Sequence, residues 1–597
     1  MFFTQHMKEL LSKNKWLYVV VILCTIINNT IRFFIPKITG FTIDSVIGNQ
    51  EVDLPTFAKN WVEGIGGVNF LRENLWMIVV VIFIVAILQF AFSFSRVYLV
   101  GVTSENICQD LKDKLYYHMQ HLPYKSYSDL KSGDIIQRCT SDVETVRRFM
   151  ANQMMEIFRI LVLIIISMSF MFFINPTLMI FSVILVPFIF MFSLFYQKIL
   201  IEKFLKVEET EAKLSSTIQE NVRGMRVVKA FGRENYELKK FDEYNNMMQN
   251  DAMSFIKSIS IYWSTSDLIC FAQYATVIFA GSYLGYKGQL TAGEFIMFLS
   301  YTGMVIWPVR QLGRIFADFS KAKVSVERIC EILDMDLEEM NDTDIKPDLS
   351  GDIVVDDLTF TFDDGGTIIH NVSFVVKGGE TVGILGKTGS GKSSLMHILL
   401  RLYDYNSGSI KIGGNELNTI DKEWLRDRIG IVLQDNFLYA KTIMENLQMA
   451  TKNTKENKII DSTKTASIHS TIKNFDKGYN TLVGEEGVTL SGGQKQRTTI
   501  ARTLTKNSQI LIFDDSLSAV DTETDLKIRR SLKENNAEAT TFIISQRLTT
   551  LMDCDKIIVM EDGRISDIGT HQELTNRAGL YKEIWEMQNL DPDEWLN

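Results

Sequence analysis

Three short stretches bring phosphate chemistry to this chain. The first, TVGILGKTGSGKSSLMHILL (381–400), is an apolar strand pattern, a glycine-rich loop and an apolar helix pattern. Glycines at 386, 389 and 391 let backbone N–H groups wrap a phosphate chain. The loop runs through Lys387, Thr388 and Ser390 to Lys392, Ser393 and Ser394. Lys392 adds a point charge at the terminal phosphates, and Ser393 offers a hydroxyl to Mg²⁺. The second, ILIFDDSLSAVD (510–521), ends an apolar run on two acids. Asp514 closes the metal site, and Asp515 stands where an acid activates water. A third stretch, LSGGQKQRTTIARTL (490–504), places Ser491, Gly492, Gly493 and Gln494 at a helix start. That geometry suits a terminal phosphate. It lies too far along the chain to belong to the loop at Gly386.

The elements that position these residues fall in the second half of the chain. From about residue 336 the pattern is a soluble α/β domain, entered through the acidic, linker-like DMDLEEMNDTDIKPDLSGD. Residues 1–335 read differently. Six runs of about twenty apolar residues are long enough to cross a bilayer. They centre on WLYVVVILCTIINNTIRFF, LWMIVVVIFIVAILQFAF, ILVLIIISMSFMFFI, TLMIFSVILVPFIFMFSLF, LICFAQYATVIFAGSYLGY and EFIMFLSYTGMVIWPV. The segments after the second and fourth spans are long, helical in pattern and rich in Lys and Arg, which places them in the cytoplasm. Both ends of the domain are then cytoplasmic. The N-terminus reads as an uncleaved membrane helix with a cytosolic start.

Composition excludes some partners. A net charge of −10 argues against nucleic acid. The six cysteines (24, 108, 139, 270, 330, 554) show no metal-ligand spacing and read as free thiols. Arg32, within the first span, faces a wet cavity or a partner, because a charge there is costly.

The phosphate loop, LSGGQ, ILIFDD and the six-span domain ahead of them occur in the order found in ATP-binding cassette exporters, and the chain resembles a half-transporter of that family over essentially its whole length. Within it, the chain most resembles one subunit of the bacterial heterodimeric multidrug exporters. The resemblance implies a type IV exporter-like helical membrane domain (1–335) followed by a P-loop nucleotide-binding domain (336–597), binding ATP and Mg²⁺. It assigns Phe362 to stack on adenine and Gln434 to the metal. It makes Ser518 to Asp521 the loop that crosses to the partner, and VGEEG (483–487) a contact for the cytosolic helices. PYKSYSD (123–129) and VVKAFGREN (227–235) become coupling elements, although ordinary helix-connecting turns would look the same.

In that family each ATP lies between one chain's phosphate loop and the other's LSGGQ. A glutamate usually activates water, and a histidine contacts the terminal phosphate. Here Asp515 and Gln546 occupy those places, while LSGGQ is complete. The expectation is a subunit whose own site hydrolyses slowly and whose signature completes a working site on a second half-transporter. The function implied is ATP-driven export of amphipathic small molecules across the plasma membrane, with lipid surrounding the spans. A homodimer, a lipid or peptide exporter, and an ATP-gated regulator or channel remain as alternatives.

Overall fold

Runs of apolar residues too long for a soluble core dominate the first half of the chain, and they set its architecture. The computed structural model describes residues 5–589, apart from 51–55, 65, 131, 341–342, 363–364, 452–454 and 518–519. Two units emerge, Met1–His121 with Leu130–Met335, and Leu122–Asp129 with Asp336–Asn597.

Among the described residues of the first unit, six helices are long and apolar enough to cross a membrane. They are Lys15–Ile47, Trp76–Gln120, Ser132–Ile174, Pro176–Arg223, Glu234–Tyr286 and Ala292–Leu333. At ~1.5 Å per residue, the 45 residues of the second span are roughly twice as long as a ~30 Å hydrocarbon core requires. The surplus continues as helix beyond the apolar run. Local chemistry sets the turns between spans. Asn175 caps the fourth span, its side chain accepting from the N–H of Leu178 at 3.1 Å, with Pro176 at the first helical position. Thr291 and Glu294 form a reciprocal capping box at the start of the sixth span. Asp44, near the end of the first span, accepts from the Thr291 hydroxyl at 2.5 Å and from the Gly293 N–H at 2.7 Å. A Cβ on Gly293 would lie 2.3 Å from that carboxylate, so only glycine fits.

The second unit carries two sheets. In the first, β1 (Ile353–Thr361), β2 (Thr367–Val376), β4 (Ser407–Ile412) and β5 (Asn415–Glu416) pair antiparallel in the order β2-β1-β4-β5. The second holds β3 (Thr381–Gly386), β6 (Ile429–Val432), β7 (Ile510–Asp514), β8 (Thr540–Ile544), β9 (Lys556–Glu561) and β10 (Arg564–Gly569). Its order is β10-β9-β3-β8-β7-β6, parallel except for the edge pair β9–β10. β7 and β8 are buried along their whole length, as central strands of a parallel sheet covered on both faces must be. Open α/β sheets bind ligands beyond the carboxyl ends of such strands.

Candidate functional site

Three neighbouring strands deliver the phosphate loop, Asp514, Asp515 and Gln546 to one place. β8 pairs with both β3 and β7, and Ile544 is in register with Ile384 on one side and Asp514 on the other. The three chains therefore leave the sheet level with one another. β3 runs into the phosphate loop, β7 ends on Asp514, and β8 leads to Gln546.

The loop after β3 needs its glycines. Gly389 and Gly391 have φ of +86° and +90°, the left-handed region that side chains disfavour. A Cβ on Gly386 would meet the Met560 carbonyl oxygen at 2.3 Å. The loop ends in the helix Lys392–Leu399, whose N-terminus points its free N–H groups at the loop. Lys392 folds back over it, donating to the carbonyls of Gly386 at 2.8 Å and Lys387 at 2.7 Å and to the Ser390 hydroxyl at 3.3 Å. Burial pushes its pKa down, while Asp514 and Asp515 pull the other way.

A cavity of about 220 Å³ brings together Thr388, Gly389, Gly391, Lys392, Ser393, Ser394, Gln434, Asp514, Asp515 and Gln546. Gly386, Lys387 and Ser390 support its wall through Lys392. The oxygens of Ser393, Gln434 and Asp514 on this wall form a donor set suited to a hard divalent cation. Asp515 is half-buried, with a left-handed φ of +46°, and its N–H donates to the Ile544 carbonyl at 3.0 Å. Burial first, and then Asp514, raise its pKa above the ordinary carboxylate value; Arg547 and Lys392 oppose this. Gln546 reaches the phosphate loop, its amide Nε2 lying 3.4 Å from the Thr388 hydroxyl. Gln588, on the last described helix, holds the Gln546 segment from outside. It donates to the Gln546 carbonyl at 3.1 Å and accepts from the Leu548 N–H at 3.1 Å.

Sequence reasoning missed three members of this wall. Ile368 comes from β2, and Ile544 and Ser545 close the end of β8. Other predicted residues lie elsewhere. The Phe362 ring sits edge-on to Phe360 and Tyr403, with centroids at 4.9 and 5.3 Å, outside the cavity lining. Ser491 caps the helix Gly492–Leu504 in a capping box with Gln494. Ser491 and Gly492 are exposed, and neither they nor Gly493 and Gln494 line the cavity. A Cβ on Gly492 would meet nothing within 4 Å, so this helix start is open on its outer side. Of the segment Ser518 to Asp521, residues 518 and 519 lie outside the described residues.

Two family models match the chain, one for the ABC transporter transmembrane region over residues 18–309 and one for the ABC transporter over residues 369–518. An uncharacterised ABC transporter ATP-binding protein of Bacillus subtilis, YknU, is 34% identical over 81% of this chain and 83% of its own. The chain belongs to the ABC transporter family. A candidate multidrug export ATP-binding/permease protein of Staphylococcus aureus is 32% identical over 95% of this chain and 97% of its own. A bacterial Atm1-family ABC exporter with ATP bound shares the fold at a TM-score of 0.79 and 23% identity, covering 97% of this chain and 99% of that one. The chain is thus an ABC exporter half-transporter, a multi-pass membrane protein with a cytoplasmic, ATP-binding translocase domain.

The two segments expected to couple, 123–129 and 227–235, differ. Leu122–Asp129 clusters with the ATPase unit, where the Tyr124 ring meets His397 and Tyr403 edge-on, each at 5.6 Å. Tyr403 in turn touches Phe362, so one aromatic series runs from Tyr124 to Phe362. The helix Met225–Phe231 has no buried residue, and Phe231 is 76% exposed.

Proposed function

We propose that this ABC exporter moves amphipathic compounds outward as one half of a heterodimer and contributes the slower of two ATP sites. The dimer part of this reading rests on one observation. The LSGGQ helix start is exposed and outside the chain's own phosphate cavity, so another chain must supply the signature that faces Lys392. The bare apolar surface of Met225–Phe231 fits the same architecture, because a coupling helix without a seat needs one on a partner.

Within this chain's site, Lys392 and the loop N–H groups would hold the phosphates, and Phe362 would stack on the adenine. Ser393, Gln434 and Asp514 would hold Mg²⁺, which neutralises charge on the bridging phosphate oxygens. Asp515 and Gln546, both on the same wall, are the departures that slow the site. The aspartate is one methylene short of the water that it would activate. The glutamine keeps a hydrogen-bonding contact to the loop but carries no charge that can follow the terminal phosphate. LSGGQ would complete the faster site of the partner. One observation favours a homodimer instead: the raised pKa of Asp515 suits a general base.

The test is co-purification of the chain with a second half-transporter and measurement of drug-stimulated ATP hydrolysis. The heterodimer should hydrolyse ATP and export the drug from vesicles, whereas this chain alone should be slow. Full drug-stimulated turnover by this chain alone would establish the homodimer.

A further inference from the structure

The cytoplasmic ends of the spans hold two adjoining cavities of opposite character. One, of about 460 Å³, is polar and includes Arg96, Arg314, Glu156 and Asp318 in its wall. The other, of about 300 Å³, is framed by Phe204, Phe255, Tyr262 and Trp263. Gln311, Arg314 and Asp318 belong to both walls, so the cavities share a boundary. Each has a volume near the lower part of the usual range for small-molecule sites. Arg96 follows the apolar run of the second span, and Arg314 that of the sixth.

The wall of the polar cavity carries three arginines, Arg96, Arg147 and Arg314, against two carboxylates, Glu156 and Asp318. Glu156, the carboxylate that acts on Arg96, is already held by Arg159, whose Nε donates to it at 2.8 Å and whose second nitrogen makes a further contact. The Asp318 carboxylate accepts from the Gln153 amide at 2.9 Å. Arg147 is tied to Glu144 and Glu105. Among the described residues, the Arg96 Nε is buried without a hydrogen bond, and Arg314 shares its wall with Asp318. Arg32 and Arg96 both lie within electrostatic reach of Arg159. Arg310, by contrast, is ion-paired with Asp267 and stacked between Trp263 and Trp307, at 4.4 and 4.2 Å. Arg96 is half-buried with its Nε shielded from water, and Arg314 is exposed at the shared boundary; a bound anion would supply the hydrogen bond that the Arg96 Nε lacks and would face the Arg314 charge.

We infer that these cavities form one site for an amphipathic anion, its negative head on Arg96 and Arg314 and its apolar body among Phe204, Phe255, Tyr262 and Trp263. This narrows the export reading and rests on it for what happens to the bound compound, but not for the binding itself. The head can belong to a soluble compound or to an anionic lipid, since both present the same chemistry to the arginines.

Equilibrium dialysis tests the site on the full-length chain in phosphatidylcholine nanodiscs. The probes are taurocholate, an amphipathic sulfonate, and tetraphenylphosphonium, an amphipathic cation. Taurocholate should bind more tightly. The pair Arg96→Gln with Arg314→Gln should raise its Kd by roughly tenfold per arginine. Arg96→Lys with Arg314→Lys should keep most of the binding, because the charge remains, and this pair keeps the test open if the glutamine pair does not fold. Preference for the cation, or a Kd unmoved by the glutamine pair, would overturn the inference. Repeating the dialysis with phosphatidylglycerol in the disc identifies the source: competitive displacement of taurocholate makes a lipid headgroup the occupant, and its absence a soluble anion. Vesicle transport separates the two readings. Arginine-dependent binding without ATP-driven movement of either probe would break the export reading and leave the site. Transport of the cation alone, without arginine-dependent anion binding, would do the reverse.

Discussion

Replacing Asp515 with asparagine isolates the carboxylate from everything around it. Asn keeps the side-chain size and, like Asp, tolerates the left-handed backbone found here at φ +46°. The Asp515 carboxylate stands back by about one C–C bond, ~1.5 Å, from where a glutamate would put it. A displacement of about 1 Å can cost on the order of a hundredfold. Burial and the neighbouring Asp514 raise its pKa, which favours proton uptake, but a stronger base gains nothing across a gap that it cannot span. Reach therefore outweighs basicity. If the chain works as the slow half of a heterodimer, ATP turnover of Asp515→Asn in that complex should stay within about twofold of wild type. Removing the catalytic glutamate of the partner subunit should lower it by roughly 10²–10⁴-fold, the usual worth of a positioned base. If Asp515→Asn proves as inactive as that partner variant, the carboxylate does reach water and the slow-site reasoning fails.

The same substitution has a stability signature. A raised pKa means that ionised Asp515 costs the folded state stability at neutral pH, a cost that vanishes once the group is protonated in both states, below its ordinary value of 3.8. Asp515→Asn should melt above wild type near neutrality, with the gap closing towards acid; a gap that widens in acid contradicts this. Lys392→Ala should lower labelling of this site by a photoreactive ATP analogue, since it removes the charge over the loop; undiminished labelling contradicts the assigned role. Phe231→Ala or Arg233→Ala should leave ATP binding intact while reducing transport per ATP hydrolysed, and an unchanged ratio would rule out coupling through that helix. In Tyr124→Ala, loss of edge contacts to His397 and Tyr403 should likewise lower transport per ATP, checked in the same vesicles.

The sequence carried the phosphate loop and Asp514 because each is fixed by short-range chemistry. Glycines stand where φ is positive, and an acid follows a strand that is apolar throughout. The six spans were legible for a similar reason, as apolar runs of that length have few other fates. Ile368 and Ser545 were not, because they reach the cavity through the pairing of distant strands and carry no distinctive chemistry of their own. Phe362 was assigned through the family resemblance alone, and its edge-on packing against Tyr403 depends on a residue 41 positions along the chain. Arg96 and Arg314 escaped notice because the cavity wall they share is a property of several helices at once. Only Arg32 stood out, by falling inside an apolar run.

Gln588 gives the end of the ATPase domain a task that its distance in sequence conceals. With one side-chain amide it grips both the carbonyl of Gln546 and the N–H of Leu548, so the backbone beside the phosphate cavity is held by a helix more than forty residues further on. Work at the carboxyl end is therefore work at the nucleotide. A purification tag or fluorescent protein joined just after this helix would stand beside the side chain that holds the Gln546 segment. Nucleotide measurements on such a fusion need a counterpart tagged at the other end of the chain.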